Sequence, residues 1–210
     1  MSNNIVELVG IYGGDESHAL SAWTSTSRDL TEEKRGRIDK MLTTLAEAGH
    51  HTPFEKSTLQ FLVTCDTASH IHILKHRIGV SVNGESARYK ELKEDRIYVP
   101  GDWPEDMQHE FAMDIEAQYD KYHSCLKELI SRGFSRKRAK ESARFYLPYA
   151  GQVVLDVSFN FRSFMHFQGL RNSEHAQVEI REIAEAMLEV VRDTGQFNLS
   201  LAAFGYGNPS

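Results

Sequence analysis

The sequence predicts an α+β fold in a single domain. Two segments, residues 57–65 and 152–161, alternate apolar and polar residues as half-buried β-strands do. Longer segments around them place apolar residues at helical spacing, so the strands are few and are separated by helices. The 210 residues contain no repeat, no low-complexity tract and no linker rich in Pro, Gly and Ser, which favours one domain over residues 1–210.

Three elements are predicted in the first third of the chain. Residues 4–12 have the apolar character of a first strand. A helix over residues 31–48 is indicated by Thr31 as its N-cap, by two glutamates in its first turn, and by Gly49 at its end. The strand over residues 57–65 follows, with its leucine, phenylalanine and valine side chains on one face.

Two helices are predicted in the middle of the chain. Asp66 can cap a short helix that ends at Lys75-His76-Arg77. The longest helix opens after Asp102-Trp103-Pro104, because proline is favoured in the first turn, and it stops at Gly133.

The last third contains two more helices around a strand. Ser135 starts a helix that must end before Pro148, because the residue preceding a proline disfavours helical geometry. The strand over residues 152–161 comes next, and a long helix over residues 173–192, capped by its serine, closes at Gly195.

Composition narrows the class of function. A net charge of -6 and a pI near 5.9 argue against a general nucleic-acid-binding protein. The cations are nevertheless concentrated in three segments, residues 75–88, 136–144 and 162–171, which favours a small anionic ligand. No signal peptide or apolar run of membrane-spanning length occurs, so we expect a soluble, intracellular, cytoplasmic protein without membrane partners. Cys65 and Cys125 are expected to be free thiols.

The segment from Lys75 to Tyr89 is the most informative part of the chain. It surrounds a Ser/Asn/Gly/Glu stretch with fixed cations, a combination suited to a phosphorylated ligand. Eight residues separate Arg77 from Ser86, and Arg88 follows two positions later. This pattern resembles the Arg-His-Arg…Ser-x-Arg signature of the flavin-dependent thymidylate synthases. Lys75 replaces the first arginine, which keeps the charge but loses the planar fork.

Three further segments resemble the same family in the same order. His50-His51-Thr52-Pro53-Phe54-Glu55 matches its His-x-Thr-Pro-Phe-Glu segment, and Ala143-Arg144-Phe145-Tyr146-Leu147-Pro148 matches an Ala-Arg-x-x-Leu-Pro segment. Residues 170–179 match a second signature, Leu-Arg-x-x-x-His-Ala-Gln-x-Glu, and we expect its histidine and last glutamate to share one helical face.

The resemblance implies a role for each matched residue. Arg171 is the implied catalytic residue, which contacts uracil and favours its ionised form. The implied dUMP ligands are His72, Glu85, Ser86, Ala87, Arg88, Arg144 and Arg171. The implied FAD ligands are Thr52, Lys75, His76, Arg77, Glu85, Asn160, Arg162, His166 and His175. His50 is placed by the resemblance on the folate side.

The resemblance also implies the chemistry and the assembly. Members of the family make dTMP from dUMP, with methylenetetrahydrofolate as carbon donor, FAD as hydride donor and NADPH as the reductant of the flavin. They use no cysteine nucleophile, and neither cysteine of this chain lies in a matched segment. The implied fold is a central, mostly antiparallel sheet flanked by long helices, and the implied assembly is a homotetramer.

Alternatives remain open at this point. Besides Lys75, two residues depart from the family pattern: His72 stands where a family member can carry Gln, and His166 stands where members commonly carry Asn. These departures are compatible with a dUMP hydroxymethylase on the same fold, or with a non-catalytic nucleotide- or flavin-binding homologue. A metal site is not expected, because among His70, His72 and His76 only one pair has helical ligand spacing and no carboxylate accompanies it. The basic run at residues 136–140 lacks interleaved aromatic residues, so we expect a solvated helix face and no nucleic-acid partner.

Overall fold

The computed structural model of the protein describes residues 4–86, 88, 91 and 94–207. Its four strands, β1 (Ile5–Tyr12), β2 (Thr58–Asp66), β3 (Val80–Gly84) and β4 (Gln152–Asn160), form one antiparallel sheet in the order β1-β2-β4-β3. The predicted α+β class and the mostly antiparallel sheet are therefore confirmed.

The two inner strands follow the predicted alternation. In β2 the side chains of Leu59, Phe61 and Val63 are fully buried while their neighbours are partly exposed. In β4 the buried positions include Leu155 and Val157, again at every second residue. The apolar face of the inner strands is therefore the core face, as the sequence indicates.

Strand β3 was not predicted. The segment is too polar for a core strand, and it lies at one edge of the sheet, where its side chains are exposed or half-buried. An edge position requires no apolar face on both sides, which explains why a polar segment forms a strand here.

Nine α-helices occur among the described residues. They are α1 (Asp15–Trp23), α2 (Glu32–Arg35), α3 (Ile38–Glu47), α4 (Thr67–Leu74), α5 (Glu105–Ser131), α6 (Arg136–Ala143), α7 (Phe161–Arg171), α8 (Val178–Arg192) and α9 (Asn198–Ala203). Two short 3-10 helices, Thr52–Glu55 and Arg144–Tyr146, complete the helical structure of this part of the chain. No helix within the described ranges has both the length and the apolar character needed to cross a membrane.

The predicted helix starts are confirmed where a side-chain cap is present. Thr31, Asp66 and Ser135 each accept a hydrogen bond from the backbone N–H three residues later. The predicted helix over residues 31–48 is interrupted, however: α2 ends at Arg35 with Gly36 as its C-cap, and α3 begins at Ile38. Glycine is a poor helix former, and its exposed position provides no packing that would compensate.

Two predictions near the second signature are wrong. The helix expected from Ser173 begins at Val178, and the preceding residues form a turn. The strand expected to reach Phe161 ends at Asn160, whose side-chain oxygen accepts from Ser163 N at 2.8 Å and caps α7. Helix α7 itself was not predicted, since the alternation of β4 continues into its first residue.

The chain divides into two compact units by the density of its internal contacts. The first unit comprises Met1–Ile5, Val63–Lys75 and Asn83–Leu155, and α5 packs against α6 within it through Tyr122 and Leu126. The second unit comprises the remaining residues, Val6–Leu62, His76–Val82 and Asp156–Ser210.

The core of the second unit is rich in aromatic rings. Phe161 stacks on Phe197 with ring centroids 5.1 Å apart and planes 8° apart. Phe54 packs edge-on against Phe204 at 4.9 Å, and Phe61 stacks on Phe164 at 5.6 Å. Removal of a buried aromatic side chain from water contributes roughly 2–3 kcal/mol to the free energy of folding, so this cluster is a major source of stability for the second unit.

Candidate active site

The second unit contains a cavity of about 750 Å³. Its lining residues are His51, Glu55, Ile78, Gly79, Asn160, Arg162, Ser163, Met165, His166, Gly169, Leu170 and Phe204. Three of them, Asn160, Arg162 and His166, are predicted FAD ligands, and the fold brings them to one surface. The volume and the mixture of apolar and polar side chains are typical of a site for a cofactor or a small ligand.

One wall of the cavity is formed where residues 78–79 meet the start of α7. Asn160 N donates to the carbonyl of Gly79 at 3.0 Å, and Ser163 Oγ donates to the carbonyl of Ile78 at 2.7 Å. Gly79 has a φ of +66°, and a Cβ atom at this position would collide with the side chains of Ser163 and Asn160. Only glycine fits the close approach of the signature segment to α7.

A second wall is formed by an ion pair between Arg162 and Glu55. Arg162 Nη1 donates to Glu55 Oε1 at 2.5 Å, and Glu55 is the last residue of the 3-10 helix Thr52–Glu55. Both side chains retain exposure to solvent, so the pair contributes on the order of 1 kcal/mol or less to stability. Its main consequence is geometric, because it fixes the guanidinium group at the edge of the cavity.

Of the two adjacent histidines in the 50–55 segment, only His51 lines the cavity. His51 lines the cavity and contacts Phe204, with ring centroids 5.2 Å apart. His50 and Thr52, the residues that the resemblance implies, are exposed and do not belong to the lining. Adjacent histidines cannot be distinguished by composition, so the sequence contains no signal for His51 beyond its place in the motif.

Arg171 lies at the end of α7 and is hydrogen-bonded to His76. Arg171 Nε donates to His76 Nε2 at 3.0 Å, so that imidazole nitrogen must be the unprotonated acceptor. Burial, the Arg171 charge and the neighbouring His166 together lower the pKa of His76 to about 4. His76 is therefore a neutral imidazole with its proton on Nδ1, and it orients the guanidinium group of Arg171.

The predicted nucleotide ligands Glu85, Ser86 and Arg88 lie in the first unit. Glu85 Oε2 accepts from Arg96 Nη2 at 3.3 Å, and the Glu85 backbone N–H donates to the Val154 carbonyl at 2.8 Å. Glu85 therefore ties the signature loop to β4. Ser86 Oγ accepts from the backbone N–H of Arg88 at 3.3 Å. Ala87, also a predicted ligand, lies outside the described residues.

Arg88 forms an ion pair with a helix of the same unit. Arg88 Nε donates to Glu141 Oε1 at 2.8 Å, and this hydrogen bond holds the pKa of the Glu141 carboxyl below its usual range. Arg144 follows three residues later as the C-cap of α6, with an exposed side chain. The predicted position of Arg144 at a helix end is confirmed, and a cation is favoured there by the helix dipole.

The other predicted ligands lie near the ends of helices. Lys75 is the C-cap of α4, and Arg77 follows it after one residue; both side chains are exposed. His72 is half-buried in the last turn of α4. His175 is exposed in the turn before α8, so the expectation that it shares a helical face with Glu179 is wrong.

Several cavity residues carry no sequence motif. Met165 and Leu170 belong to α7, Ile78 lies beside the signature, and Phe204 follows α9. Met165 and Leu170 come to the cavity with helix α7, whereas Phe204, much later in the chain, is brought there only by tertiary packing.

Cys65 is a fully buried thiol of β2. Burial and the adjacent Asp66 raise the pKa of the Cys65 thiol to about 12, so it remains protonated and is a poor nucleophile. Within the part of the chain that the structure describes, no group of three or more His, Cys, Asp or Glu side chains is arranged to hold a metal ion.

The second unit therefore contains both an apolar-lined cavity suited to a cofactor or small ligand and an arginine held by a neutral histidine. The Thy1 family, described as thymidylate synthase complementing protein, matches residues 7–194. The chain is 34% identical over 200 residues to the flavin-dependent thymidylate synthase of Pseudothermotoga lettingae, a match that covers 91% of this chain and 86% of the relative.

A second relative and a solved structure point to the same family. The flavin-dependent thymidylate synthase of Kosmotoga olearia is 29% identical, with 91% of this chain and 86% of the relative covered. The crystal structure of the UMP/dUMP methylase PolB from Streptomyces cacaoi, bound with 5-Br dUMP, superposes with a TM-score of 0.77 at 26% identity, covering 99% of this chain and 96% of that chain. The chain belongs to the flavin-dependent thymidylate synthase family, a family of methyltransferase enzymes, and the resemblance seen in the sequence is confirmed.

Proposed function

We propose that this protein converts dUMP to dTMP, with methylenetetrahydrofolate as carbon donor and NADPH-reduced FAD as hydride donor, in a cytoplasmic homotetramer. One observation carries the proposal. The second unit gathers Asn160, Arg162 and His166, all family positions for flavin contacts, around a cavity of about 750 Å³.

The residues of this cavity fit FAD. Met165, Leu170 and Phe204 offer apolar surface to a planar ring, while the guanidinium group of Arg162 offers charge-assisted hydrogen bonds to phosphate. The Glu55–Arg162 pair positions this cation. When bound, the flavin supplies the hydride transfer, and the protein supplies position and electrostatics.

Arg171 is the proposed catalytic residue. A cation directed at the carbonyl edge of uracil stabilises the negative charge that develops on the ring. The hydrogen bond from Arg171 Nε to His76 Nε2 fixes the plane of the guanidinium group. Because His76 is neutral, it orients Arg171 without adding a second charge.

The nucleotide phosphate is assigned to Ser86, Arg88 and Arg144. A phosphate monoester needs fixed cations and hydroxyl donors, which these side chains provide. In the structure Arg88 is paired with Glu141, so phosphate binding replaces one anion by another at the same guanidinium group. Glu85 is proposed to hold the loop backbone rather than the phosphate, since both would be anionic.

The likeness to the Streptomyces cacaoi methylase makes UMP a second substrate to test. The deciding experiment is mass spectrometry of the nucleotide formed from dUMP, and in parallel from UMP, with purified protein, FAD, NADPH and methylenetetrahydrofolate. A product with the mass of dTMP supports the proposal. Hydroxymethyl-dUMP would instead identify a hydroxymethylase, and unchanged dUMP beside bound flavin would identify a non-catalytic homologue.

Arg171→Ala supplies the control for that experiment. It should abolish turnover while the fold and FAD binding are kept, because Arg171 lies outside the cavity lining. Arg171→Lys is the matched variant, since it keeps the charge and loses the planar fork. Unchanged turnover in Arg171→Ala would refute the assigned role.

A further inference from the structure

The second unit contains a chain of four hydrogen-bonded polar side chains, Asp15, Ser200, His18 and Ser57, of which Asp15 is half-buried and the other three are buried. All four lie outside the family segments discussed above. His18 and Ser200 are fully buried, and Ser57 is 2% exposed. His18 Nδ1 lies 2.8 Å from Ser200 Oγ, and His18 Nε2 lies 2.8 Å from Ser57 Oγ. Ser200 Oγ in turn donates to Asp15 Oδ1 at 2.6 Å. Burial of polar groups at this depth is costly unless every group is paired, as it is here.

The direction of each hydrogen bond in this series follows from the Asp15 carboxylate at one end of it. The carboxylate of Asp15 can only accept, so Ser200 donates its proton to it. Ser200 Oγ must then accept from His18 Nδ1–H, which leaves His18 Nε2 as the acceptor for the hydroxyl of Ser57. His18 is neutral in this arrangement, in agreement with burial lowering its pKa to about 4.

The order Asp-Ser-His-Ser resembles a nucleophile with its activating base, but it cannot act as one. Ser57 is buried and does not line the cavity, so no substrate reaches its oxygen. The role of these four hydrogen-bonded side chains must therefore be structural: they position the segments to which they belong. Asp15 also accepts from the backbone N–H groups of Leu199 and Ser200, which joins the start of α1 to the start of α9.

The segments held by this chain are those that form one wall of the cavity. Ser57 lies two residues after Glu55, the partner of Arg162. The ring of His18 contacts Phe54 at 5.3 Å and Phe161 at 5.1 Å, and Phe161 lies between Asn160 and Arg162 in sequence. His18 therefore packs behind both members of the Glu55–Arg162 pair.

We propose that Asp15, Ser200, His18 and Ser57 are positioning residues that hold the Glu55–Arg162 wall in place and thereby set the affinity for the flavin. This inference rests on the proposed function, in that FAD occupies the cavity. The effect on the wall passes through the His18–Ser57 hydrogen bond, because Ser57 lies two residues after Glu55, the last residue of the 3-10 helix.

Two substitutions at one site separate positioning from simple stability. The side-chain amide of asparagine reaches the position of His18 Nδ1, so His18→Asn keeps a hydrogen-bond partner for Ser200 and loses the one for Ser57. The amide of glutamine reaches the position of His18 Nε2, so His18→Gln keeps a partner for Ser57 and loses the one for Ser200. Each variant loses one hydrogen bond and the ring packing, so both should lower the melting temperature of the flavin-free protein. Only His18→Asn should also weaken FAD binding, by about tenfold, as should Ser57→Ala.

The measurement is the Kd for FAD by flavin fluorescence, together with melting of the flavin-free protein. Ser69→Ala is the matched control, because Ser69 is an equally buried serine whose hydroxyl has no hydrogen-bond partner in the described structure. It should leave the Kd unchanged. If His18→Asn fails to fold, the test is the Kd of Ser57→Ala against that of Ser69→Ala: weaker FAD binding in Ser57→Ala alone supports the positioning role, and equal Kd values overturn it.

The outcomes separate this inference from the proposed function. Equal FAD affinity in the parent protein, His18→Asn and Ser57→Ala would overturn the positioning role alone. Equal weakening by His18→Asn and His18→Gln would also overturn it, since transmission through Ser57 would then be wrong. A parent protein that does not bind FAD would overturn the proposed function and this inference together.

Discussion

Acidification should destabilise this protein through His18, and replacement of His18 by glutamine should remove that sensitivity. Burial lowers the pKa of His18 from 6.5 to about 4 in the folded protein. As the pH falls below about 6.5, the unfolded chain therefore takes up a proton that the folded protein still excludes. The free energy of unfolding then decreases until the pH reaches the folded pKa of about 4.

The magnitude follows from the size of this shift. One pKa unit corresponds to about 1.4 kcal/mol, so the contribution of His18 to stability should fall by about 3 kcal/mol between about pH 7 and about pH 4. That is a large part of the roughly 5–15 kcal/mol that stabilises an ordinary domain. The figure applies to His18 because its ring is fully buried and has little access to screening solvent.

The assay is urea unfolding of the parent protein and of His18→Gln at a series of pH values. All other titrating groups, including His76 with its similarly lowered pKa, are common to both proteins and cancel in the difference. At about pH 7 the parent should be the more stable of the two, and the gap should narrow by about 3 kcal/mol on acidification. Stability curves that stay parallel would refute the assignment of a buried neutral histidine at this position.

Three further substitutions, one of them with a matched control, test the site. Lys75→Arg should tighten FAD severalfold in fluorescence titrations, because the planar fork is restored; an unchanged Kd would contradict this and mean that the site has compensated. Gly79→Ala should abolish FAD binding, because its φ of +66° and the collision with α7 both oppose a side chain. Gly133→Ala, with a φ of +89° and open space around it, has the strain without the collision and should bind FAD normally. Glu141→Gln should strengthen dUMP binding severalfold in calorimetry by weakening the competing ion pair with Arg88; weaker binding would show that Glu141 helps the site.

The elements that the sequence predicts well are those decided by near neighbours. Asp66 caps α4 because its carboxylate reaches an N–H only three residues away. The buried face of β2 follows from alternation along a single strand, and Gly133 ends α5 with a φ of +89°. Such features depend on a few consecutive residues, so composition and spacing are enough to identify them.

Prediction failed where the local signal was ambiguous. Asn160 and Phe161 read as the end of an alternating strand, although Asn160 is the N-cap of a helix. The second signature was assigned to a helix from Ser173, but no side chain caps it there and the helix begins at Val178. An apolar residue at a strand end fits either period, and only packing decides between them.

The family and the α+β class could be predicted from the sequence, and the ligands of the nucleotide and the flavin could be proposed from it, because short motifs and apolar spacing are readable along the chain. Tertiary structure alone decided that His76 accepts from Arg171, and that His51 and Phe204 share a cavity wall. It also decided that His18 hydrogen-bonds both Ser57 and Ser200, the second of which lies 182 residues after His18. These contacts join residues distant in sequence, and no local pattern specifies which buried donor will meet which acceptor.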